Sequence, residues 1–554
     1  METLAASAPP AGSERGASAR TPLHVVVLVA LITAGAAAAR LYALGRRGLW
    51  LDESMSVYNA QHSLPSLIRV IEHREIYMAL YYVLLHFWIT LGNSEFLLRL
   101  PSVIFSVAAI PLTYAIGARL FGRATGLLAA ALLAVNVFHI RYAQEARSYA
   151  LTVFLAALAS WILVRNLQTG DSGKVRPAKA SWVAYGVVLA LMVYSHLFAL
   201  LIVAAHAAAI LCLGPGRIPW RGLARSSAWF IGLLLPMAIA TARIMRGTYP
   251  LNWDSDSGFS NVLDFFVLTA GNRGVLLLVL TALAIAVLAF TVARGSSSSA
   301  DATAGSPAAE LGGRWGGAFV LLWFFLPVAI ALAAAVVFPP FVPRYLLPCL
   351  PGFVLCVAAG LTRLPPRSIG MTLAAAILVL SVAAIHTCYD LGGGLEDWRE
   401  ISANILDQSQ PGDLIYFTPE YAQVPFEYYR ARRVPPPAWP RAIGAVVDTP
   451  FTPAAQPPAA TPSSSPAPPP KRVWVVHHHP NLFTLEARRE FRARLDALRA
   501  KGWTLIHPYE YPMVVVVFLE APPSGQVLPQ DLHTLFAPGP AGSAAPPSES
   551  PTQP

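Results

Sequence analysis

Charged residues are scarce in this sequence. Asp, Glu, Lys and Arg make up 13% of its 554 residues, apolar residues make up 55%, and the mean hydropathy is +0.51. A soluble domain carries about twice this charged fraction, so the composition excludes an ordinary soluble multidomain protein. The apolar residues form blocks of roughly 15 to 23, close to the length at which an α-helix crosses a bilayer. The sequence predicts a polytopic α-helical membrane protein.

Lysine and cysteine are also rare, with four residues of each. Three of the four cysteines lie in apolar blocks, where a thiol behaves as a small hydrophobic group, and together they do not indicate a disulfide framework. The net charge is 40 − 30 = +10. The arginines behind this charge are spread over the loops between apolar blocks, so we interpret them as determinants of topology and expect no nucleic-acid partner.

Eleven apolar blocks predict membrane-spanning helices in a domain covering residues 21–386. They are residues 23–39, 96–116, 126–140, 149–164, 181–195, 197–213, 226–242, 274–292, 315–337, 345–361 and 368–386. A further block, residues 77–91, is short and rich in aromatic residues, which favours a helix at the membrane interface. With this block outside the membrane core, residues 43–95 form a first external loop that contains interfacial helices.

The loop charges orient these helices. From residue 117 onward, the two alternating sets of loops contain thirteen and six Lys and Arg residues. Because positive residues favour cytoplasmic loops, we expect a multi-pass protein of the cell (inner or plasma) membrane. Its N-terminus would be cytoplasmic and its C-terminal domain external or periplasmic.

The segments outside the membrane differ in composition. Residues 1–20 and 537–554 are typical of a disordered cytoplasmic N-terminus and a disordered tail. Residues 387–536 alternate helical and strand-like patterns, such as RVWVVHH and MVVVVFLEA, and predict an external α/β domain. Thirteen prolines between Pro435 and Pro470 predict an unstructured insertion at about 434–470.

Adjacent carboxylates stand in the first external loop, at Asp52 and Glu53. Two acids beside a membrane are ordinary when solvated and costly when desolvated. A hydrated acid pair is therefore one interpretation. The other is catalytic, because a carboxylate held near lipid is able to deprotonate a hydroxyl nucleophile.

Arginines occupy three other loop positions of interest. Arg147 shares the segment 141–149 with Glu145, where the charges either form the polar turn of a helical hairpin or bind an oxyanion through the planar guanidinium. Arg344, followed by Tyr345, stands at the external end of the tenth span, and Arg99 near the start of the second. Both are candidate anion ligands or snorkelling anchors.

Histidines provide weaker signals. His196 lies at an external helix turn, as an interface residue or a site residue. Residues 477–479 are three consecutive histidines, but neighbouring strand residues point to opposite faces and no Cys or acid follows at ligand spacing. We therefore expect no metal site and no cofactor.

Together these segments resemble the C-type integral-membrane glycosyltransferases, in the branch that holds protein O-mannosyltransferases and bacterial aminoarabinose transferases. The resemblance covers most of residues 23–430 and follows the order WLDE (50–53), YYVLLHFW (81–88), RLPS (99–102), QEAR (144–147), RYLLP (344–348), DWR (397–399) and PGD (411–413). No single motif is specific, and their order and placement on external loops carry the match.

This resemblance implies a reaction and a set of roles. The enzyme would move a sugar from a polyprenyl-phosphate donor to a lipid, glycan or protein acceptor by inverting displacement. Asp52 would be the base and Glu53 a neighbour that shapes the site, while Arg147, Arg344 and Arg99 would bind the donor phosphate without a metal.

One segment departs from the family pattern. Many relatives carry a proline pair before the aromatic helix, where this chain has HREIYMALYY at residues 73–82. His73 or Arg74 would then replace a donor contact, or the sugar preference would differ.

Two other functions compete with this reading. A flippase or transporter of polyprenyl-linked glycans would carry charges near the middle of several spans, whereas here the ionisable residues collect at external ends. A non-catalytic scaffold is the third alternative, and an intact pair of acids disfavours it.

Overall fold

The computed structural model describes ten stretches of the chain, and the statements below concern these. They are residues 21–171, 178–246, 259–271, 274–294, 311–335, 342–390, 396–443, 472–478, 485–511 and 513–521. The two termini predicted to be disordered, residues 1–20 and 537–554, lie outside them, and so do residues 444–470 of the proline-rich insertion.

Each block predicted to span the membrane is helical. The α-helices up to residue 390 are α1 (Leu23–Leu41), α2 (Leu51–Gln61), α3 (Leu64–Val70), α4 (Ala79–Trp88), α5 (Glu95–Phe121), α6 (Arg123–Val135), α7 (Val137–Ala143), α8 (Tyr149–Asp171), α9 (Lys179–Ser195), α10 (Leu200–Leu211), α11 (Trp220–Arg246), α12 (Phe259–Ala270), α13 (Gly274–Ala293), α14 (Gly316–Ala335), α15 (Leu350–Leu361) and α16 (Arg367–Asp390). Short 3-10 or π segments lie at Ile71–Glu75, Ile76–Met78, Ile89–Leu91, Leu197–Ala199, Pro215–Arg217, Leu311–Trp315 and Pro343–Cys349.

The described residues contain eight helices that are long and apolar enough to cross a membrane. The pair α6 and α7, bent by 57°, makes a ninth candidate span. The remaining two of the eleven blocks, Lys179–Ser195 and Leu197–Leu211, are shorter apolar helices. The chain is a multi-pass membrane protein, as predicted, and the short helix α12 is an addition that the sequence pattern did not indicate.

The bend between α6 and α7 has a local cause at Asn136. The Asn136 side chain accepts a hydrogen bond from the His139 N–H (3.1 Å) and caps α7. The break deprives the last carbonyls of α6 of their helical donors. The guanidinium of Arg40, fully buried on α1, donates to two of them, the Ala134 and Leu133 oxygens, at 2.9 and 3.3 Å. These bonds hold the end of α6 at the bend.

The C-terminal domain is a five-stranded sheet with helices on both faces. Its strands are β1 (Leu414–Thr418), β2 (Arg441–Ile443), β3 (Arg472–His478), β4 (Thr504–Tyr511) and β5 (Val514–Glu520), in the order β2-β1-β3-β5-β4. β1 is parallel to β2 and β3, while β5 is antiparallel to β3 and β4. Its helices are α17 (Trp398–Gln408), the 3-10 turn Glu420–Ala422, α18 (Gln423–Ala431) and α19 (Leu485–Ala500).

Alternation along β3 joins this sheet to the membrane domain. Val473 and Val475 face a core that contains Phe491 of α19. Trp474 and Val476 face the opposite way, into a cluster that continues through α17 and α18 into the membrane helices. The domain therefore sits directly on the ends of these helices, beside the first loop.

Candidate active site

The two adjacent acids of the first loop occupy different environments. Both lie in the first turn of α2, where the helix dipole favours negative charge. The Asp52 side chain is 30% exposed, whereas that of Glu53 is fully buried. Successive residues on a helix point about 100° apart, so one carboxylate faces an open site and the other faces the protein core.

Glu53 is bound on all sides. Its carboxylate accepts hydrogen bonds from Nε and Nη2 of Arg99, at 2.8 and 2.6 Å, and from the Ala146 N–H at 2.7 Å. It also accepts from the Trp50 N–H at 3.4 Å and so caps α2. Glu53 is thus a structural anchor that joins α2, α5 and the turn after α7.

The geometry of Arg99, predicted to bind the donor phosphate, favours a structural role. Its guanidinium is buried and donates to both carboxylate oxygens of Glu53 and to the backbone oxygens of Leu44, Arg47 and Gly48 at 2.8–3.0 Å. All five guanidinium N–H groups are thereby engaged. The RLPS motif gave no sign of these contacts, because the partner carboxylate, Glu53, lies 46 positions earlier in the chain.

Arg147 lies against Asp52. It projects from the polar turn between α7 and α8, and its Nη2 is 3.5 Å from Asp52 Oδ2. Its Nη1 donates to the Asp52 carbonyl and to Ser56 Oγ, both at 3.2 Å. Its Nε is buried and hydrogen-bonds to none of the described residues. Arg147 therefore keeps a hydrogen-bond donor, its Nε–H, that a bound ligand is able to use.

Arg344 reaches the same site through Tyr149. It is the second residue of the 3-10 segment Pro343–Cys349, and its Nε donates to the hydroxyl of Tyr149 at 3.1 Å. Arg147 also lies over the Tyr149 ring, 5.9 Å from its centroid. Tyr149 thus contacts both cations. Sequence reasoning did not select it, although it closes the 141–149 segment.

His196 and Tyr345 form an aromatic wall beside these arginines. Their ring centroids are 4.9 Å apart, and His196 is 5.8 Å from Tyr149. His196 lies in the break between α9 and α10, where its Nδ1 accepts the Phe198 N–H at 3.3 Å. This nitrogen carries no proton, so the ring donates only through Nε2.

Glu145 is buried behind the site. Its Oε1 is 3.9 Å from Arg141 Nε, and its Oε2 has no partner among the described residues. Burial raises the pKa of Glu145 to about 7, with the Arg141 charge opposing this shift and the Glu53 charge adding to it. A cavity of about 20 Å³, large enough for one water, separates Glu145 from Glu396 of the C-terminal domain.

The two residues proposed to replace the missing proline pair are not placed among these side chains. His73 is exposed and its Nδ1 contacts the Arg69 carbonyl at 2.8 Å, while the Arg74 side chain lies outside the described structure. Their neighbour Glu75 instead accepts a hydrogen bond from Tyr82 at 2.9 Å. The Tyr77 hydroxyl is close enough to interact electrostatically with Glu75, Arg147 and Asp52. The sequence did not single out Glu75 and Tyr77 for the site.

A larger, apolar cavity opens beside this segment. It has a volume of about 510 Å³ and lies between the interfacial helices, α9 and α11. Its lining is mostly aliphatic, with Glu72, Tyr194 and Arg243 as the polar exceptions. Across the described residues, no group of three or more His, Cys, Asp or Glu side chains is arranged to hold a metal ion.

Comparison with known proteins agrees with this architecture. The profile of the family described as dolichyl-phosphate-mannose-protein mannosyltransferase matches residues 77–245, less than a third of the chain. The ArnT enzyme of Cupriavidus metallidurans in its apo state superimposes with a TM-score of 0.55 at 14% identity, over 93% of this chain and all of that one. The chain therefore has the fold of this ArnT structure.

Two further structures align less closely with this chain. ArnT bound to undecaprenyl phosphate gives a TM-score of 0.49 at 13% identity, over 89% of this chain and 98% of that one. The Archaeoglobus fulgidus oligosaccharyltransferase, in a complex with Zn and sulfate, gives 0.44 at 15% identity, over 73% and 61%. No curated protein sequence matches significantly. The fold class predicted from the sequence is confirmed, and the predicted enzyme class agrees with the family profile. The matched segment 77–245 contains Arg147 but neither Asp52 nor Arg344.

Proposed function

We propose that this glycosyltransferase moves a sugar from a polyprenyl phosphate to an acceptor hydroxyl, with Asp52 as general base. The observation that carries the proposal is the pairing of a partly exposed carboxylate with Arg147 at 3.5 Å, while the adjacent Glu53 is withdrawn into the core. Asp52 is the acid of this pair that a substrate is able to reach.

The reaction follows from these positions. Asp52 takes the proton of the acceptor hydroxyl, and the acceptor oxygen attacks the anomeric carbon of the donor. The bond between that carbon and the phosphate oxygen breaks, and the electron pair leaves with the polyprenyl phosphate. Attack opposite the leaving group inverts the anomeric centre.

The departing phosphate gains negative charge, which two arginines are placed to stabilise. Arg147 and Arg344 flank Tyr149, and their forked guanidinium groups suit bidentate contact with phosphate oxygens. Preorganised cations of this kind lower the barrier to leaving-group departure. We propose that they do so without a metal or other cofactor.

The family profile supports a polyprenyl-phosphate donor, because the family is named for a dolichyl phosphate mannose donor and a protein acceptor. The apolar cavity of about 510 Å³ has the lining that a polyprenyl chain requires, and Ile76, Leu80 and Val83 contribute to it. These residues belong to the interfacial segment that also carries Tyr77 toward Arg147. The acceptor is a lipid, a glycan or a protein.

We place the site at the external face of the membrane, with the N-terminus in the cytoplasm. The α1 helix ends at Leu41, directly before the loop that contains Asp52, so residues 21–23 lie at the opposite membrane face from the site. The C-terminal domain contacts the same loop and shares its side. The thirteen-to-six division of loop Lys and Arg residues supports an external position for that side.

The test is sugar transfer in isolated membranes with a panel of radiolabelled polyprenyl-phosphate sugars. Asp52→Asn removes the base and keeps its shape, so transfer of the accepted sugar should fall by about 10²–10⁴-fold. Asp407→Asn is the matched control, because Asp407 is exposed and pairs with Arg433 far from the site.

Two outcomes contradict the proposal. Equal transfer by wild type and Asp52→Asn at matched expression would remove Asp52 from the mechanism. No consumption of any donor by the wild type, together with movement of labelled carrier across vesicles, would favour the transporter.

A further inference from the structure

The backbone that leads into the candidate base has no regular structure. Between the end of α1 and the start of α2, residues 44–50 form turns and extended chain. Together with Leu51, the first residue of α2, they are here termed the Asp52 loop. Leu44 and Leu49 are buried in it. Backbone N–H and C=O groups in a buried irregular segment need partners from elsewhere in the molecule, and the position of Asp52 depends on those partners.

Arg99 binds the carbonyl side of the loop. As described above, it donates to the Leu44, Arg47 and Gly48 oxygens from within the membrane domain. These bonds hold the loop carbonyls against α5, but Arg99 provides no partners for the loop N–H groups.

The C-terminal domain binds the N–H side. The Gly48 N–H donates to Asp397 Oδ2 at 3.1 Å, the Leu49 N–H to the Tyr429 hydroxyl at 2.7 Å, and the Leu51 N–H to Glu396 Oε1 at 3.1 Å. In return, the Trp398 N–H donates to the Leu49 carbonyl at 3.3 Å. Three side chains of one domain thus hold three amides of another, and the last amide directly precedes Asp52.

These partners are themselves fixed. Asp397 uses its other oxygen to cap α17, accepting from the Arg399 and Glu400 N–H groups at 3.0 and 3.3 Å. The Tyr429 hydroxyl donates to Glu95 of α5 at 3.1 Å. Glu396 is buried and lies 3.3 Å from Nε2 of His478, at the end of β3. The loop is therefore anchored to the first turn of α17, to α18 and to the sheet.

Gly48 shows how closely the two parts approach. A Cβ built at this position would lie 2.1 Å from Asp397 Oδ1 and 2.9 Å from the Arg399 backbone N. Only glycine allows the backbone of the loop to lie against the start of α17 in this way.

We infer that Glu396, Asp397 and Tyr429 are positioning residues, through which the C-terminal domain sets the place of the Asp52 carboxylate. The inference rests on the proposed role of Asp52. It assigns a function to the domain that its external location alone does not provide. A shift of about 1 Å in a reacting group is enough to cost roughly 10²-fold in rate, so loosening the loop lowers turnover while the donor phosphate ligands Arg147 and Arg344 stay in place.

Tyr429→Phe tests the inference with the smallest change. It removes the acceptor of the Leu49 N–H and keeps the ring. Tyr428→Phe is the matched control, because Tyr428 is the buried neighbour on α18 whose hydroxyl donates to the Asn93 carbonyl (2.6 Å) outside the loop. In the purified full-length enzyme, we expect kcat of Tyr429→Phe to fall by about tenfold or more with donor KM within about twofold, and Tyr428→Phe to match wild type.

Hydrogen–deuterium exchange gives a readout that does not depend on activity. The peptide covering residues 44–52 should exchange faster in Tyr429→Phe than in wild type or Tyr428→Phe, because the Leu49 amide has lost its partner. Unchanged exchange in this peptide, or equal kcat values for the two tyrosine variants, would overturn the inference. Full transfer by Asp52→Asn, with the exchange difference still present, would contradict the proposed role of Asp52. The contact between Tyr429 and the Leu49 amide would still stand.

A second position separates positioning from helix capping. Asp397→Asn is still able to cap α17 through its single carbonyl oxygen but has lost the second oxygen that accepts from Gly48. We expect Asp397→Asn to lower kcat at near-wild-type thermal stability, and Asp397→Ala to lower both. Full kcat in Asp397→Asn would overturn the role of this residue.

Discussion

Replacing Arg99 by lysine distinguishes a structural arginine from one that binds the donor. Both side chains carry one positive charge, but arginine has five N–H donors in a planar fork and lysine has three on one atom. Arg99 uses all five, on the two oxygens of Glu53 and on three backbone oxygens of the Asp52 loop. The substitution therefore keeps the charge and changes only the number and direction of hydrogen bonds.

The size of the effect follows from counting acceptors. At least two of the five lose their donor in Arg99→Lys, since lysine has only three N–H groups. Leaving a buried polar group without a partner costs about 1–3 kcal/mol, so the membrane domain should lose about 2–6 kcal/mol of unfolding free energy. The donor phosphate should be unaffected, because Arg147 and Arg344 remain.

The assay combines thermal unfolding of the purified enzyme in detergent with donor KM, measured where every variant is folded. Arg99→Lys should unfold at a temperature several degrees lower than wild type and keep its donor KM. Arg119→Lys is the control on the same helix, because Arg119 is exposed and makes one 3.4 Å bond to Gln168. A wild-type unfolding temperature with a raised donor KM would refute the reasoning and return Arg99 to the phosphate site.

Two further predictions concern pH and metal. Because burial raises the pKa of Glu145 to about 7, the folded state binds a proton more tightly than the unfolded state, and wild-type stability should fall as pH rises from about 4.5 to 7. Glu145→Gln should flatten that fall in a thermal-unfolding series, and an unchanged slope would contradict the assignment. Excess EDTA should leave the transfer rate unchanged, since Arg147 and Arg344 supply the positive charge, and a loss restored by a divalent cation would contradict this.

The membrane helices were predictable because their signal is local. A block such as residues 274–292 is apolar all round, and it forms a helix wherever its neighbours lie. The strands were predictable for the same reason, since the short apolar run at 473–476 matches a strand, β3, that is buried on both faces. Local composition and the spacing of apolar residues are enough to predict such helices and strands, without information from distant parts of the chain.

The division of labour between Asp52 and Glu53 was not predictable in this way. The two residues share a helix turn and a charge, and the sequence offers no local feature that separates them. Their difference comes from Arg99 and the Ala146 amide, which are 46 and 93 positions away along the chain and meet Glu53 only in the folded protein. The same distance hid the role of Arg99 itself.

The contacts of the C-terminal domain extend this reasoning to the segment 396–399. The sequence pattern there indicates a helix N-cap, and Asp397 does cap α17. A carboxylate has two oxygens, however, and a capping motif accounts for one of them. The second oxygen reaches an amide 349 positions earlier in the chain, beside the loop that carries the candidate base. A local motif therefore identified the residue and half of its bonding. The other half, the bond to the Asp52 loop, depended on where the C-terminal domain docks.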